Sequence, residues 1–271
     1  MTEIQSRRVL VDGMRTHYLE AGRGFPVVLL HSGEFGGCAE LSWEFTIPAL
    51  ARHFHVIAPD WLGFGMSAKI FSFEDMRELR ARQIASLLRI LCIERAHFIG
   101  NSMGGGMLAD VAAQTQPVWP IEKMILASAG GFAPVNDARK VLNSYDGSRE
   151  HMRRILETTL LVSPLRQDEA YLDRRHRLSL IPGSWECTAA ARFRRPGGKS
   201  GEREDTNYRN IKRPTLLVAG GKDPLREPGY ATALQREIEN SELVVFPEAG
   251  HFPHIDCPEQ FNEVAIGFLS R

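Results

Sequence analysis

Residues 96–113 read AHFIGNSMGGGMLADVAA. The apolar run His97 to Ile99 leads into Gly100-Asn101-Ser102-Met103-Gly104, and an alanine-rich, helix-prone segment follows. Strand, tight turn and helix in that order put Ser102 at the apex of the turn, in the G-x-S-x-G pattern of a nucleophile elbow. Glycine two positions away on either side lets strand and helix pack closely around a strained turn. The strain lifts the Ser102 hydroxyl clear of the backbone, while the helix N-terminus leaves the Met103 N–H unpaired and partly positive, ready to meet an oxyanion. Taken alone, the pentapeptide also fits a glycine-rich helix start or a simple anion site. The flanking strand and helix, and the partners found further along the chain, favour the nucleophile.

Working outward, short strands are expected at Arg7 to Val11 and Met14 to Leu19, joined at Asp12-Gly13, a dipeptide suited to a hairpin. Phe25 to Leu30 is continuously apolar, as a strand buried on both faces should be. It ends in the loop His31-Ser32-Gly33-Glu34-Phe35-Gly36-Gly37. A helix over Leu41 to Arg52, a strand over His53 to Ala58 and a glycine-punctuated loop from Asp60 to Ser67 follow. Glu74 to Leu91 carries apolar residues at helical spacing opposite a basic face. Lys123 to Ala127 is the sixth strand, and Thr215 to Ala219 and Leu243 to Phe246 come after it, with helices from Gly229 to Glu239 and Pro258 to Leu269. Strands alternating with helices define an α/β chain with a mostly parallel twisted sheet covered on both faces, its first strands forming an antiparallel edge.

Between the sixth strand and the next, the pattern changes. Residues 132–213 hold no convincing buried strand and many arginines, with helix-like stretches Arg149 to Leu161, Asp168 to Leu180 and Trp185 to Phe193 and a loop-like, mobile tail over 194–207. The stretch reads as a helical cap inserted over the C-terminal edge of the sheet, leaving 1–131 and 214–271 as the core. Its basic character reads as a solvated surface.

The 271 residues, 43% hydrophobic with formal net charge zero, suffice for a large core and give no reason to expect nucleic acid or an anionic membrane as partner. The N-terminus lacks a signal-peptide apolar region and no run reaches the length of a membrane span, so a cytoplasmic protein is expected. Homo-oligomerisation is compatible with the sequence. Cys38, Cys92, Cys187 and Cys257 form no C-x-x-C pair and read as small buried or semi-buried residues. Histidines and acids show no metal-ligand spacing, so neither metal nor cofactor is expected.

Ser102, Asp223 and His251 each follow directly on an expected buried strand and should lie along one edge of the sheet. Their order is that of a Ser-Asp-His triad on this kind of sheet. His251 would take the Ser102 proton and Asp223 would fix the imidazole. The blander alternatives are a turn aspartate before Pro224 and a loop histidine. Trp61 and Phe64 fit core packing as well as a pocket wall, and His53, His55, His97 and His254 read as structural. Asp60 could be imagined as a nucleophile, but in such a fold that role belongs at the elbow.

With these motifs in place, the chain resembles the α/β-hydrolases over nearly its whole length: HSG, GNSMGG, GGKDP and GHFPH all match. The resemblance implies an oxyanion hole from the amides of Met103 and Gly33, although many members have His-Gly-Gly where this chain has His31-Ser32-Gly33. GNSMGG and Asp173-Arg174-Arg175-His176 are similar to the meta-cleavage-product hydrolases, which split a carbon–carbon bond in dienoic diketo acids. By that resemblance Asn101 precedes the nucleophile, and Arg175, with Arg174 adjacent, holds the substrate's carboxylate and oxo group; Phe252 and Ser32 complete the substrate-binding set. Phe252 stands where the family commonly has tryptophan, and Glu34 adds a carboxylate unhelpful to an anionic substrate unless it points to solvent. The functions in view are carbon–carbon bond hydrolysis of a small carbonyl compound, ester or lactone hydrolysis by an acyl-enzyme route, and a triad-bearing ligand receptor.

Overall fold

The computed structural model describes residues 3–131, 133–191, 193 and 206–271. Strands β1 (Gln5–Val11), β2 (Met14–Ala21), β3 (Pro26–Leu30), β4 (His55–Pro59), β5 (Ala96–Asn101), β6 (Ile121–Ala127), β7 (Thr215–Gly220) and β8 (Ser241–Phe246) form one sheet in the order β1-β2-β4-β3-β5-β6-β7-β8. β1 and β2 form the antiparallel edge, β2 running antiparallel to β4, and the remaining pairs are parallel. This is the α/β-hydrolase fold that the sequence implies.

Period-two alternation explains why apolar runs without polar breaks still make strands. Val28, Leu30, Phe98, Met124, Leu126 and Leu217 face one side, where they meet Ile84 and Leu88 of α3 (Met76–Ile90) and Met107, Leu108 and Val111 of α4 (Met103–Ala112). Their strand neighbours Val27, Leu29, Ile99, Ile125, Leu216 and Val218 face the other side. There they pack against Trp43 of α1 (Ala39–Trp43), Ile47 and Leu50 of α2 (Ile47–Leu50), and Phe261, Phe268 and Leu269, which belong to the C-terminal helix 258–270. Each such side chain, fully buried, contributes roughly 1.5–3 kcal/mol.

The segment between β6 and β7 is helical: α5 (Asp137–Asn143), α6 (Arg149–Ile155), α7 (Glu169–Ser179) and α8 (Ser184–Ala190). Asn136, Ser148 and Asp168 cap the first three, each accepting a hydrogen bond from an amide three residues on. Tyr145, Met152, Ile155, Leu156, Tyr171 and Leu172 pack here against Phe35, Leu41 and Phe252 of the sheet's loops and helices. The helices α9 (Tyr230–Glu237), α10 (Pro253–Asp256) and α11 (Pro258–Ser270) complete the chain.

Several local expectations are corrected. The helix over Leu41 to Arg52 is two short helices, because Pro48, which cannot donate an amide hydrogen bond, starts a new one. The helix over Arg149 to Leu161 becomes α6 followed by a π-helical turn, Leu156–Leu160, in which the Leu161 amide reaches Leu156 O at 3.1 Å. Helix α5 has no counterpart among the elements expected from sequence, and α8 ends at Ala190, short of Phe193. Cys92 is exposed, whereas Cys38 and Cys187 are buried and Cys257 is intermediate. The expected loop over 194–207 lies outside the described residues except for its last two.

Candidate active site

The elbow is built by close approach. Ser102 sits at φ +49° and ψ −112°, a conformation disfavoured for a residue with a side chain. A Cβ on Gly104 would lie 2.2 Å from Leu30 O, and one on Gly100 would lie 2.6 Å from the Gly105 Cα. Only glycine allows β3, β5 and α4 to come this close. The turn is pinned by the Ser102 amide donating to Ala127 O at 3.0 Å and the Gly106 amide donating to Ser102 O at 2.8 Å.

Ser102, Asp223 and His251 come together as the chain order suggested. His251 Nε2 lies 2.8 Å from Ser102 Oγ, and its Nδ1 lies 2.8 Å from Asp223 Oδ2. The carboxylate requires a proton on Nδ1, which leaves Nε2 as acceptor for the serine hydroxyl. Asp223 Oδ1 accepts the Leu225 amide at 2.9 Å. Burial alone raises the Asp223 pKa, but the charge and hydrogen bond of His251, with the Leu225 amide, outweigh it and hold the carboxyl below its ordinary value. The loops after β7 and β8 abut so tightly that a Cβ on Gly220 would meet Gly250 O at 2.0 Å.

Gly33 packs directly against the Met103 side chain in the cleft lining: a Cβ on Gly33 would lie 2.6 Å from Met103 Sδ. The Gly33 loop is anchored by His31, whose Nε2 accepts the Trp61 amide at 3.2 Å. The ring proton is therefore on Nδ1, which donates to Ser32 O at 2.7 Å. Burial lowers the His31 pKa and favours this neutral form. Asp60, far from being a nucleophile, accepts from the Ala39 and Met66 amides and pairs with His17 at 2.7 Å. This buried network under the loop had no sequence signal beyond Asp60 itself.

The cleft beside Ser102 has a volume of about 300 Å³. Gly33, Glu34, Ser102, Met103 and His251 line it, together with Arg77, Arg139, Asn143, Tyr208 and Arg226. The four expected substrate-binding residues are not part of that lining. Asn101 is fully buried, and its Nδ2 donates to Ala127 O at 3.0 Å and His251 O at 3.3 Å, bracing the histidine loop. Ser32 donates to Glu34. Phe252 is buried between His251 and His254, 5.7 Å from the Arg175 guanidinium.

Arg175 is fully buried and pairs with Glu34 at 2.6 Å, its Nη2 donating to Tyr171 OH at 3.0 Å. Burial works against both charges. The pairing, with Tyr171 on one side and Ser32 on the other, still leaves Arg175 above and Glu34 below their ordinary pKa values. Glu34 thus turns inward, and the guanidinium expected to meet the substrate meets Glu34 instead. Arg174 pairs with Glu44 at 2.8 Å.

Arg139 and Arg226 went unread in the sequence. Asn136-Asp137, an N-cap followed by a first-turn acid, was the available sign of the helix that carries Arg139. Among the described residues no cluster of histidine, cysteine and acids could hold a metal ion, and no helix is long and apolar enough to cross a membrane.

The alpha/beta hydrolase family model matches residues 27–264, and the chain belongs to that family. A 2-hydroxy-6-oxo-6-(2'-aminophenyl)hexa-2,4-dienoic acid hydrolase of Metapseudomonas resinovorans is 31% identical over 269 residues, covering 98% of this chain and 91% of the relative. A 2-hydroxymuconate semialdehyde hydrolase of Pseudomonas sp. (strain CF600) is 29% identical over 269 residues, covering 98% and 94%. Among solved structures, the meta-cleavage product hydrolase of Pseudomonas fluorescens IP01 superposes with TM-score 0.86 at 26% identity, covering 97% of both chains. These three relatives are hydrolases by name, and this chain is a hydrolase.

Proposed function

We propose that this protein is a serine-dependent hydrolase that cleaves the carbon–carbon bond next to a carbonyl in a ring-fission product of the 2-hydroxy-6-oxo-dienoate type. The observation that carries the reading is the hydrogen-bonded chain from Ser102 through His251 to Asp223 at the wall of a cleft of about 300 Å³. Residues 1–131 and 214–271 serve as the catalytic core and 132–213 as its cap.

In this reading the dienol first ketonises: its 2-hydroxyl loses a proton and C5 gains one. Ser102 Oγ then attacks the C6 carbonyl as His251 Nε2 takes its proton. The amides of Met103 and Gly33 receive the oxyanion. When the C5–C6 bond breaks, its electron pair delocalises into the 2-oxo group, which His251 protonates. Water releases the acyl group from Ser102, again through His251.

Ester or lactone hydrolysis is the second reading, favoured by one observation: the charge of Arg175 is already met by Glu34, so the cap arginine is not available to an acid. Assaying a coloured dienolate ring-fission acid beside short acyl esters and lactones decides between them. The first reading expects loss of the dienolate's visible absorbance with a specificity constant exceeding that of every ester by at least about tenfold. Rapid ester or lactone turnover with an unchanged dienolate would overturn it.

A further inference from the structure

Three arginines and one glutamate line the cleft, and two of these charges are satisfied within the protein. Arg77 pairs with Asp110, and Glu34 with Arg175. Arg139, on α5, and Arg226, three residues after Asp223, differ. Arg139 Nε donates to Pro134 O at 2.9 Å and its Nη2 to Leu225 O at 3.1 Å. Arg226 donates through Nε and Nη2 to Ser128 O, at 3.1 and 2.7 Å, and through Nη1 to Gly130 O at 2.7 Å. Every one of these acceptors is a neutral carbonyl. Neither guanidinium has a carboxylate within ion-pair distance among the described residues, and Arg139 Nη1 has no hydrogen-bond partner among them.

The carbonyls hold the two forks in place without cancelling their charge. Both groups are partly buried, and the positive charge of Arg226 is felt at Arg139, second only to burial in disfavouring its charged form. Two fixed cations in a half-desolvated cleft are stabilised by an incoming anion, and a planar fork suits a carboxylate. The Asp223 carboxylate, close enough to be felt by both, is already committed to His251 and the Leu225 amide.

We propose that Arg139, assisted by Arg226, binds the substrate's carboxylate, the part the family resemblance had given to Arg175. The inference deepens the function proposed above and rests on it only for the identity of the acid. The test is calorimetric titration of the protein with sorbate, a dienoic acid, and with its neutral amide. Wild-type protein should prefer the acid. Arg139→Gln should weaken sorbate binding by at least about tenfold and the amide by much less. Arg139→Lys, which keeps the charge, should restore part of the preference, and thermal melts of both variants establish that they fold. Equal weakening of acid and amide, or a wild type without preference for the acid, would refute the subsite. If acid preference depends on Arg139 while the ring-fission acid is not turned over, the subsite stands and the carbon–carbon reading fails; if the acid is turned over without that dependence, the reverse holds.

Discussion

At the scale of single residues, the buried charges make the firmest demands. Glu34 and Arg175 are almost wholly removed from water, at 3% and 0% side-chain exposure. Removing one partner leaves the other charge desolvated and unmatched, which costs about 3–5 kcal/mol. Glu34→Gln should therefore lower the urea midpoint of unfolding sharply, whereas replacing both members together by apolar residues should recover much of the loss. Histidines add a pH dependence. Burial lowers the His97 pKa from 6.5 to about 4, and burial, with the charge of His251, lowers that of His254 from 6.5 to about 3. Both are neutral in the fold, so between about pH 6.5 and pH 4 the unfolded chain binds more protons. Their contribution to stability is complete above pH 6.5 and is lost as the pH falls through that window. Urea titrations across it should show stability falling with acidification, with a shallower slope in His254→Phe. An unchanged slope would contradict the assignment of His254 as a proton-linked site.

At the scale of elements, the elbow shows what glycine does here. Gly104→Ala drives a Cβ into Leu30 O at 2.2 Å, backbone against backbone, and should cost at least about 1–3 kcal/mol along with activity. Gly267, exposed on α11, is the counterpart, because a Cβ added there would meet nothing within 4 Å. Gly267→Ala should raise stability by roughly 0.5–1 kcal/mol, a difference that thermal melts of wild type and variant resolve. The elements most legible in the sequence were those whose pattern local chemistry dictates: buried apolar strands such as Val27 to Leu30 and the strand-turn-helix at Ser102. Helices of the segment between β6 and β7 were less legible. α5 is only seven residues long and Ala138, Val141 and Leu142 are just partly buried, so its apolar stripe is too short to stand out, and its Asn136 cap is the clearer sign.

At the scale of the whole molecule, the sheet edge brings together side chains 149 residues apart, and this too was legible, since each of the three follows a buried strand. What the sequence did not contain was partner choice. Nothing local says that Glu34 folds inward onto Arg175, 141 residues away, or that Arg139 and Arg226 are held by main-chain carbonyls beside the cleft. Such pairings depend on how the helical segment packs against Phe35, Leu41 and Phe252 of the remaining chain. The account as a whole depends on Ser102 being the activated nucleophile. Treating the protein with a fluorophosphonate and locating the adduct by peptide mass spectrometry tests this directly. The account predicts one adduct per chain, on Ser102, absent in Ser102→Ala and formed at least about a hundredfold more slowly in His251→Ala. An adduct on another residue, or undiminished labelling of Ser102→Ala, would contradict it.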